Sequence, residues 1–435
     1  MIKSKLKNFI WFLVLGSFTL FFTSNASASS SPEETAFIFN TLLFLICGFL
    51  VMWMAAGFSM LESGMVRTKN VSTICLKNIG LYSISGIMFF LVGYNLAYGI
   101  PEGGYIGSFT MFTPAEDIST GYASNSDWFF QMVFCATTVS IVSGTIAERV
   151  KVWAFFIFAI ILSGIIYPIE MGWQWGGGWL SAIGFSDFAG STLVHAAGGA
   201  AALAGAIIVG PRIGRFKSDG KPNAMPASNI PLATLGTFIL WLGWFGFNGG
   251  SQLAIGSMVD AVAVSNIFVN TNLAACSGLI SAVVLAQLLF GKVDVTFALN
   301  GALAGLVSIT AEPLAPSMMM SLVVGSIGGI IAVVGTKFIE NLRIDDVVGA
   351  LPVHLLAGIW GTIAVPLSNS DTSFITQTVG TFSVIGFVFV VSSIVWFILK
   401  AIVGVRPSEE EEVLGSDASE VGIEAYPYFK KFFCA

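Results

Sequence analysis

The only two histidines of the chain, His195 and His354, lie in two copies of one short pattern. The pattern reads D-x2-G-x3-V-H-x3-G and begins at Asp187 and again at Asp346. Imidazoles accept, donate and transfer protons near neutral pH, so two of them brought together could pass a proton. Two alternatives stay open: each histidine is a packed core residue, or the pair binds a metal. Two histidines without a third ligand make a poor zinc or iron site.

The spacing within the pattern predicts the depth of both imidazoles. Each histidine follows its aspartate by eight residues, which is about 12 Å along a helix. The midplane of a bilayer lies about 15 Å below the edge of its hydrocarbon core. If the two helices enter from opposite faces, both imidazoles therefore reach the midplane, where they could meet.

The composition assigns the chain to a membrane. Of its 435 residues, 55% are hydrophobic and 10% are charged, whereas soluble domains carry about 25% charged residues. This excludes a water-soluble enzyme, a disordered chain and a nucleic-acid binder, and the net charge of −6 provides no basic surface for nucleic acid. We find no nucleophile–base arrangement and no metal-ligand spacing among the five cysteines. We therefore predict neither an enzyme nor a bound cofactor or metal.

Apolar stretches of about 20 residues predict an all-α polytopic membrane protein with 11 transmembrane helices. The first five and the next five form an inverted 5+5 pseudo-two-fold repeat, because the histidine pattern opens span five inward and span ten outward. The predicted spans are 37–59, 78–99, 128–147, 152–172, 191–210, 229–250, 263–290, 295–310, 318–337, 346–366 and 378–403.

Loop charges predict the orientation, with the N-terminus out and the C-terminus in. Three of the 19 Lys and Arg residues precede residue 8, and all the others lie in loops that this orientation makes cytoplasmic, Lys77 included. The opposite loops contain only acids: Glu102, Glu116, Asp117, Asp127, Glu170, Asp187, Asp260, Glu312 and Asp371.

The chain divides into three segments. Residues 1–28 are predicted to be a cleaved signal peptide, because Lys3, Lys5 and Lys7 precede a short apolar stretch that ends in Ala26-Ser27-Ala28. An uncleaved first helix is the alternative. Residues 29–404 form the membrane domain, and residues 405–435 form a cytoplasmic C-terminal tail. The run Glu409–Glu412 is typical of a solvated acidic segment.

Asp187 and Asp346 occupy equivalent places at the starts of spans five and ten. A carboxylate there caps free N–H groups and complements the helix dipole, and we favour this structural role for both. Asp187 is interpreted as the only acid near the start of a transmembrane pathway, where it would also attract cations.

Beyond the two histidine patterns, ordered motifs over residues 36–404 resemble the Amt/Mep/Rh ammonium transporter family, and the bacterial Amt type fits best. The tail resembles the family more weakly. The matching segments are Glu62-Ser63-Gly64, Val66-Arg67-Thr68-Lys69-Asn70, Phe130-Gln131 with Phe134, Ala147-Glu148-Arg149, Trp175-Gly176-Gly177-Gly178, Asp187 to Gly210, Gly246-Phe247-Asn248 with Ser251, Gly305-Leu306-Val307 with Thr310, and Asp345 to His354.

The resemblance implies an outer site that recognises ammonium. Trp175, Phe130, Phe134 and Ser251 match its residues, and Phe134 and Phe247 match a stacked pair that closes it. Aromatic faces attract cations, and a hydroxyl oxygen accepts an N–H. These residue types therefore suit a small cation with hydrogen-bond donors, such as ammonium or methylammonium.

The resemblance also implies a narrow pore lined by the twin histidines His195 and His354. Asp187 matches an acid needed for transport, and Ala189 and Thr310 fall close to the pore. Ammonium can lose a proton and cross an apolar pore as ammonia, whereas sodium and potassium keep a charge whose insertion costs at least about 2.5–3.5 kcal/mol. Family members are homotrimers in the cell membrane, with one pore in each subunit.

Two other functions remain as alternatives. One is an ammonium sensor, for which a fused output domain would be expected after the last span; here the segment 405–435 follows. The other is an H⁺- or Na⁺-coupled transporter of another small solute, for which acids would be expected within the spans.

Family tails dock on cytoplasmic loops, where PII-type signal proteins regulate the pore. Gly415, Asp417, Gly422, Ala425 and Tyr426 match the family tail. The tail departs from the family at three positions, where Ser416, Val421 and Ile423 replace Leu, His and Glu. The resemblance therefore implies that the tail folds back, without the contacts of the missing His and Glu, and leaves a PII-type partner as an expectation.

Overall fold

The computed structural model describes residues 31–427. Every long element in this part of the chain is a helix. The predicted signal peptide 1–28 and the last residues of the tail lie outside the described residues. Among residues 31–427, nine helices are long and apolar enough to cross a membrane, and two apolar helices, α8 and α10, are shorter. The helices are α1 (Pro32–Met65), α2 (Thr68–Tyr98), α3 (Ser124–Thr145), α4 (Val152–Gly172), α5 (Ser191–Val209), α6 (Ile230–Gly250), α7 (Met258–Phe290), α8 (Val295–Ile309), α9 (Met318–Asn341), α10 (Leu351–Leu367) and α11 (Phe374–Ile402).

This architecture confirms the prediction of an all-helical protein rich in apolar helices. The bounds of the first two helices differ most from the sequence-based ones. Hydropathy ends the first span before Glu62 and begins the second after Lys77, yet both residues are helical and buried. The placement of Lys77 in a cytoplasmic loop is therefore wrong. Its Nζ donates to the Ser143 carbonyl at 3.0 Å and lies 4.6 Å from the Phe155 ring centroid.

Glycines allow the helices to approach closely. α1 packs against α6, and α7 packs against α8 and α9. At Gly236 of α6, a Cβ atom would lie 2.3 Å from the backbone nitrogen of Leu61, and at Gly329 of α9 it would lie 2.0 Å from the carbonyl oxygen of Gly278. Neither position has room for a methyl group. Small residues serve this purpose at helix contacts in membranes.

The helices α5 and α10 begin in the same way. Asp187 accepts hydrogen bonds from the four backbone N–H groups of residues 190–193, and Asp346 accepts from Gly349 and Leu351. Gly190 and Gly349 adopt φ values of 106° and 80°, a left-handed conformation that favours glycine. Each aspartate therefore satisfies N–H groups that a helix start leaves free, as the capping interpretation expects.

Both helices then open with a wide turn. Residues Ser191–Ala196 and Leu351–Leu356 are π-helical, and His195 N–H donates to the Gly190 carbonyl five residues earlier at 3.0 Å. Such turns are rare and often accompany functional sites. Each of the two histidines lies in one of them.

The C-terminal tail folds back onto the helical domain. The carboxylate of Asp417 accepts from the Ser72 and Thr73 N–H groups and from the Thr73 hydroxyl at 2.9–3.0 Å. Ser416 donates its N–H and its hydroxyl to Asn70 Oδ1, which the leucine typical of the family could not do with its side chain. The tail therefore caps the first turn of α2.

Two glutamates attach the tail at further points. Glu412, in the short helix α12 (Glu409–Leu414), accepts from the Ile213 N–H and from Arg406, each at 2.8 Å. Glu420 accepts from the Val152 N–H at 2.7 Å. Glu412 and Asp417 are buried, whereas Glu409, Glu410 and Glu411 are exposed, so the acidic run is solvated as predicted except at Glu412.

Candidate substrate pathway

The two histidines are in direct contact. Nδ1 of His195 lies 3.2 Å from Nδ1 of His354, and the ring planes are inclined by 26°. Both side chains are buried. Since Nδ1 faces Nδ1, a hydrogen bond between the rings requires one nitrogen to donate and the other to accept. The pair thus shares one proton across this contact, and Nε2 of His195 has no protein partner among the described residues.

The last glycine of each sequence pattern makes this contact possible. A Cβ atom at Gly199 would lie 2.7 Å from Cβ of Leu355, and one at Gly358 would lie 2.5 Å from the Ser191 carbonyl oxygen. Leu355 and Ser191 each belong to the π-helical turn of the opposite helix. Each pattern therefore supplies a histidine and the glycine that lets the other turn approach.

Aromatic rings surround His195. The ring centroids of Trp244 and Phe247 lie 5.0 and 5.3 Å from its own, and both rings are nearly parallel to the imidazole. Trp244 Nε1 donates to the Thr310 hydroxyl at 2.8 Å, which fixes the indole. The backbone carbonyl of Thr310 accepts from the Ala189 N–H at 3.1 Å. Thr310 and Ala189 thus support this wall and are absent from the lining of the outer cavity described next.

Two stacked phenylalanines separate the histidines from an outer cavity. The rings of Phe134 and Phe247 lie 4.1 Å apart with an interplanar angle of 29°. The Phe134 ring also makes edge-to-face contacts with Phe130 and Trp175, whose ring centroids lie 4.8 and 6.0 Å from its own. Phe247 is thus in contact with both Phe134 and His195, so the rings form a continuous column between cavity and histidines.

The outer cavity has a volume of about 420 Å³. All four residues matched to an outer recognition site, Trp175, Phe130, Phe134 and Ser251, line it together. Its other lining residues are Tyr94, Tyr98, Tyr122, Asp127, Gln131, Gln174, Phe188 and Leu253. Aromatic faces and polar oxygens thus border one space.

The hydrogen of the Ser251 hydroxyl is already used. Its Oγ donates to the Phe247 carbonyl at 2.8 Å, so towards the cavity this oxygen can only accept. The indole N–H of Trp175 is also used, since it donates to the Asp187 carbonyl at 2.9 Å. These two groups offer the cavity an acceptor and an aromatic face without a donor, which suits a cation that carries N–H groups.

The interpretation of Asp187 as the only acid near the pathway is wrong. Asp187 is fully buried and absent from the lining of the outer cavity, whereas Asp127 lines it. The sequence places Asp127 in a loop before the third span, but the residue lies in the first turn of α3. Asp346 lines a separate cavity of about 30 Å³ beside Glu340 and Arg215.

On the other side of the pair, His354 lines a narrow cavity of about 10 Å³, which is space for roughly one water molecule. Glu62 lines the same cavity. Its Oε2 accepts from Asn78 at 3.1 Å and from Ser143 at 2.8 Å, while its buried Oε1 has no partner among the described residues. The resemblance quoted Glu62 as part of a motif, but its place beside His354 was not predicted.

A buried ion-pair cluster joins the three loops that follow α3, α5 and α9. Asp345 binds Arg212 through both carboxylate oxygens at 2.9 Å, and Glu148 binds the same arginine at 2.9 Å. Burial alone would raise the pKa of the Asp345 carboxyl, but the charge of Arg149 and the contacts of Arg212 outweigh it and hold this pKa below its usual range. The carboxylate is therefore ionised and holds the loops together.

Comparison with known proteins places this geometry in a family. Residues 42–426 match the family described as Ammonium Transporter Family. The chain belongs to that family. The match covers every residue of the histidine pair, the phenylalanine column and the outer cavity, so the predicted family is confirmed.

Individual relatives cover most of the chain. The ammonium transporter Amt2 of the archaeon Archaeoglobus fulgidus is 42% identical, over 88% of this chain and 87% of that protein. Among solved structures, one titled Sensor Amt Protein has a TM-score of 0.83 at 36% identity and covers 88% of this chain and 98% of its own. Candida albicans Mep2 has a TM-score of 0.79 at 26% identity, over 93% and 94%. The relatives thus include archaeal and eukaryotic proteins.

Proposed function

We propose that this protein transports ammonium by recruiting the cation in the outer cavity and conducting ammonia past the two histidines. The observation that carries the proposal is the direct contact of His195 with His354 behind the stacked rings of Phe134 and Phe247. A column of apolar rings that ends at a polar pair suits a solute that crosses the column uncharged and then needs hydrogen-bonding partners.

Recruitment depends on the faces and acceptors of the outer cavity. The indole of Trp175 and the rings of Phe130 and Phe134 attract a cation by about 0.5–2 kcal/mol when it is partly desolvated. The Ser251 hydroxyl, whose hydrogen is donated to Phe247, accepts one ammonium N–H.

Selection takes place at the phenylalanine pair. A lasting charge among these rings costs several kcal/mol, so ammonium leaves its proton on the outer side and passes as ammonia. Methylammonium can follow the same route, whereas potassium and sodium cannot lose their charge. The imidazoles then donate to and accept from the ammonia molecule. Their shared proton also offers a separate route for H⁺, because a second charge on the pair is disfavoured by the first and by burial.

The architecture proposed around this pathway extends the observed fold. We infer eleven crossings in an inverted 5+5 arrangement with an eleventh helix, the N-terminus outside and the C-terminus inside. The similar starts of α5 and α10 support this arrangement, as does the occurrence of Lys and Arg after residue 28, apart from the buried Lys77, in or next to the loops and the tail that this orientation places inside. A signal peptide at 1–28, a homotrimer in the plasma membrane and a bacterial host belong to the same proposal.

Proteoliposomes containing the purified full chain test this function. Ammonium and potassium concentration jumps are compared by current on a solid-supported membrane and by a trapped pH dye. Current for ammonium alone is expected if the proton crosses too, and internal alkalinisation without current is expected if only ammonia crosses. Absence of both signals, or equal current with potassium, would reject the proposal.

A second candidate is an ammonium sensor. It is favoured by the similarity to the structure titled Sensor Amt Protein and by the tail, which contacts the N–H groups near the start of α2 and the Val152 N–H. The docked tail also offers a surface for a PII-type signal protein. Transport at a measurable rate in proteoliposomes separates the two functions, since a pure sensor gives ammonium binding without flux.

A further inference from the structure

Among residues 31–427, Asp127 is the only charged residue that lines the outer cavity, and the proposed recruitment by aromatic faces does not use it. Its side chain is buried, with 6% of the residue exposed. Its carboxylate accepts from the Tyr94 hydroxyl and from Gln131 Nε2, the latter at 3.1 Å. Both partners line the same cavity. The Asp127 carboxylate is thus held by two side chains that border the cavity.

The position of Asp127 in the first turn of α3 suggests a helix cap, but the contacts exclude that role. A capping carboxylate accepts from backbone N–H groups near the helix start, and Asp187 and Asp346 do so here. The hydrogen bonds of Asp127 come from side chains instead. Its charge is therefore turned away from the helix end and towards the cavity.

No basic residue neutralises this carboxylate within residues 31–427, where none of the ion pairs includes Asp127. A buried carboxylate is costly unless it is paired or fully hydrogen-bonded, and two donors leave part of its acceptor capacity unused. A cation that enters the cavity supplies both the missing charge and the missing donors.

A second acceptor borders the same space. The Ser251 hydroxyl lines the cavity and donates its own hydrogen to the Phe247 carbonyl, so towards the cavity its oxygen accepts. Gln131 and Tyr94 each donate a hydrogen bond to Asp127. Asp127 and Ser251 therefore both present acceptors to the cavity.

We propose that Asp127 forms a cation subsite for small ammonium ions in the outer cavity, in addition to the aromatic residues and the Ser251 hydroxyl. The subsite rests on the proposed function and deepens it. It adds a carboxylate to the aromatic faces, so it strengthens the attraction of the cavity for a small cation, and the N–H groups of an ammonium ion supply the hydrogen-bond donors that Asp127 and Ser251 can accept. Because the cavity has room beyond a single ammonium ion, methylammonium fits as well.

The test compares Asp127→Asn and Asp127→Glu with the wild type in the full-length protein. In proteoliposomes, the ammonium concentration that gives half-maximal signal should rise roughly 10- to 150-fold in D127N, the loss expected for one charged hydrogen-bonded contact. D127E keeps the charge and should recover most of the affinity. The maximal signal should stay within about twofold, because the phenylalanine and histidine column is unchanged. Glu116→Gln is the matched control, since Glu116 is an exposed acid that binds Ser124 near the same helix start.

A second readout does not depend on transport. Ammonium chloride should raise the thermal unfolding temperature of the purified wild type above its value in sodium chloride at equal ionic strength, since a ligand that binds the folded state stabilises it. The increase should disappear in D127N and persist in D127E and E116Q. Equal half-maximal concentrations and equal thermal shifts in wild type and D127N would overturn the subsite. Should D127N fail to fold, a wild type without an ammonium-specific shift, or a D127E protein that has lost it, would overturn it. A shift that depends on Asp127 in a protein without flux would keep the subsite and reject transport.

Discussion

At the scale of single residues, Trp175 makes two contacts that substitution can separate. Its ring faces the outer cavity, and its indole N–H donates to the Asp187 carbonyl. Trp175→Leu removes both, and we expect the half-maximal ammonium concentration to rise about 2- to 30-fold, the range of a cation–π contact. Trp175→Phe keeps a ring and loses only the N–H, so its increase should be smaller. Equal losses in the two variants, measured in proteoliposomes, would assign the effect to the hydrogen bond.

The histidine pair gives a second prediction at this scale. Replacing His195 and His354 together by Leu removes every hydrogen-bonding group that the pair offers to ammonia. We expect methylammonium uptake to fall at least about tenfold, since one lost hydrogen bond of about 1.4 kcal/mol already gives that factor. Uptake of radiolabelled methylammonium at equal protein density measures this. Full rate and full selectivity over potassium in the double variant would contradict the proposed mechanism.

Residue types explain which parts of the pathway are predictable. The histidine contact could be foreseen because both members of the pair are unique in the chain and share one pattern. The residues of the outer ammonium site were predicted only from the family resemblance. A Trp or Phe in an apolar span gives the same sequence pattern whether it packs in a core or borders a cavity. Asp127 and Glu62 were missed because hydropathy assigns charged residues to loops, whereas here hydrogen bonds from Tyr94 and Asn78 allow them to be buried.

At the scale of helices, the contact between α1 and α6 depends on Gly236. A methyl group there would lie 2.3 Å from a backbone nitrogen, so Gly236→Ala must move one helix, and overpacking of this kind costs about 1–3 kcal/mol. We expect a lower unfolding temperature. Gly386→Ala in α11 is the matched control, because a Cβ there meets nothing within 4 Å and alanine favours helices by up to about 1 kcal/mol. Equal unfolding temperatures of the two variants would show that the crossing tolerates the shift.

The helices themselves follow from hydropathy, but their first turns do not. Residues Ser191–Ala196 and Leu351–Leu356 are apolar enough to be recognised as helical, yet their π-helical geometry is set by contacts between the two turns. In the sequence, only Gly199 and Gly358 reflect that contact. A glycine within an apolar helix has many possible reasons, so one sequence alone does not reveal which helix approaches it.

At the scale of the whole molecule, Asp345 makes stability dependent on pH. Its pKa is held below the ordinary value, because Arg149 and Arg212 outweigh the effect of burial. Such a group stabilises the folded state fully above the unfolded pKa of about 3.9, and the contribution is lost as the pH falls below it. Asp345→Asn should therefore lower the unfolding temperature at pH 7 and have a shrinking effect below about pH 4. Asp371→Asn, in an exposed loop, is the control and should change little at either pH. A difference between wild type and D345N that stays constant down to pH 3 would contradict this.

Assembly is the second prediction for the whole molecule. The chain has a mass of 46.1 kDa, and the proposed homotrimer should appear in native mass spectrometry from mild detergent at three times the mass of the mature subunit. Many large apolar side chains on α7 and α11 are exposed in the single chain, including Leu288, Ile375 and Phe397, and lipid or a neighbouring subunit must cover them. A monomer as the only species across several detergents would contradict the trimer.

The tail contact also orders events during synthesis. Ser72 and Asp417 are 345 residues apart in the chain, and at about 5–20 residues per second a ribosome needs roughly 17–70 s to make the residues between them. During that time the first turn of α2 lacks the carboxylate that caps it in the finished protein. A nascent or truncated chain that ends before Asp417 therefore leaves these N–H groups at the start of α2 without the carboxylate that accepts from them in the finished protein.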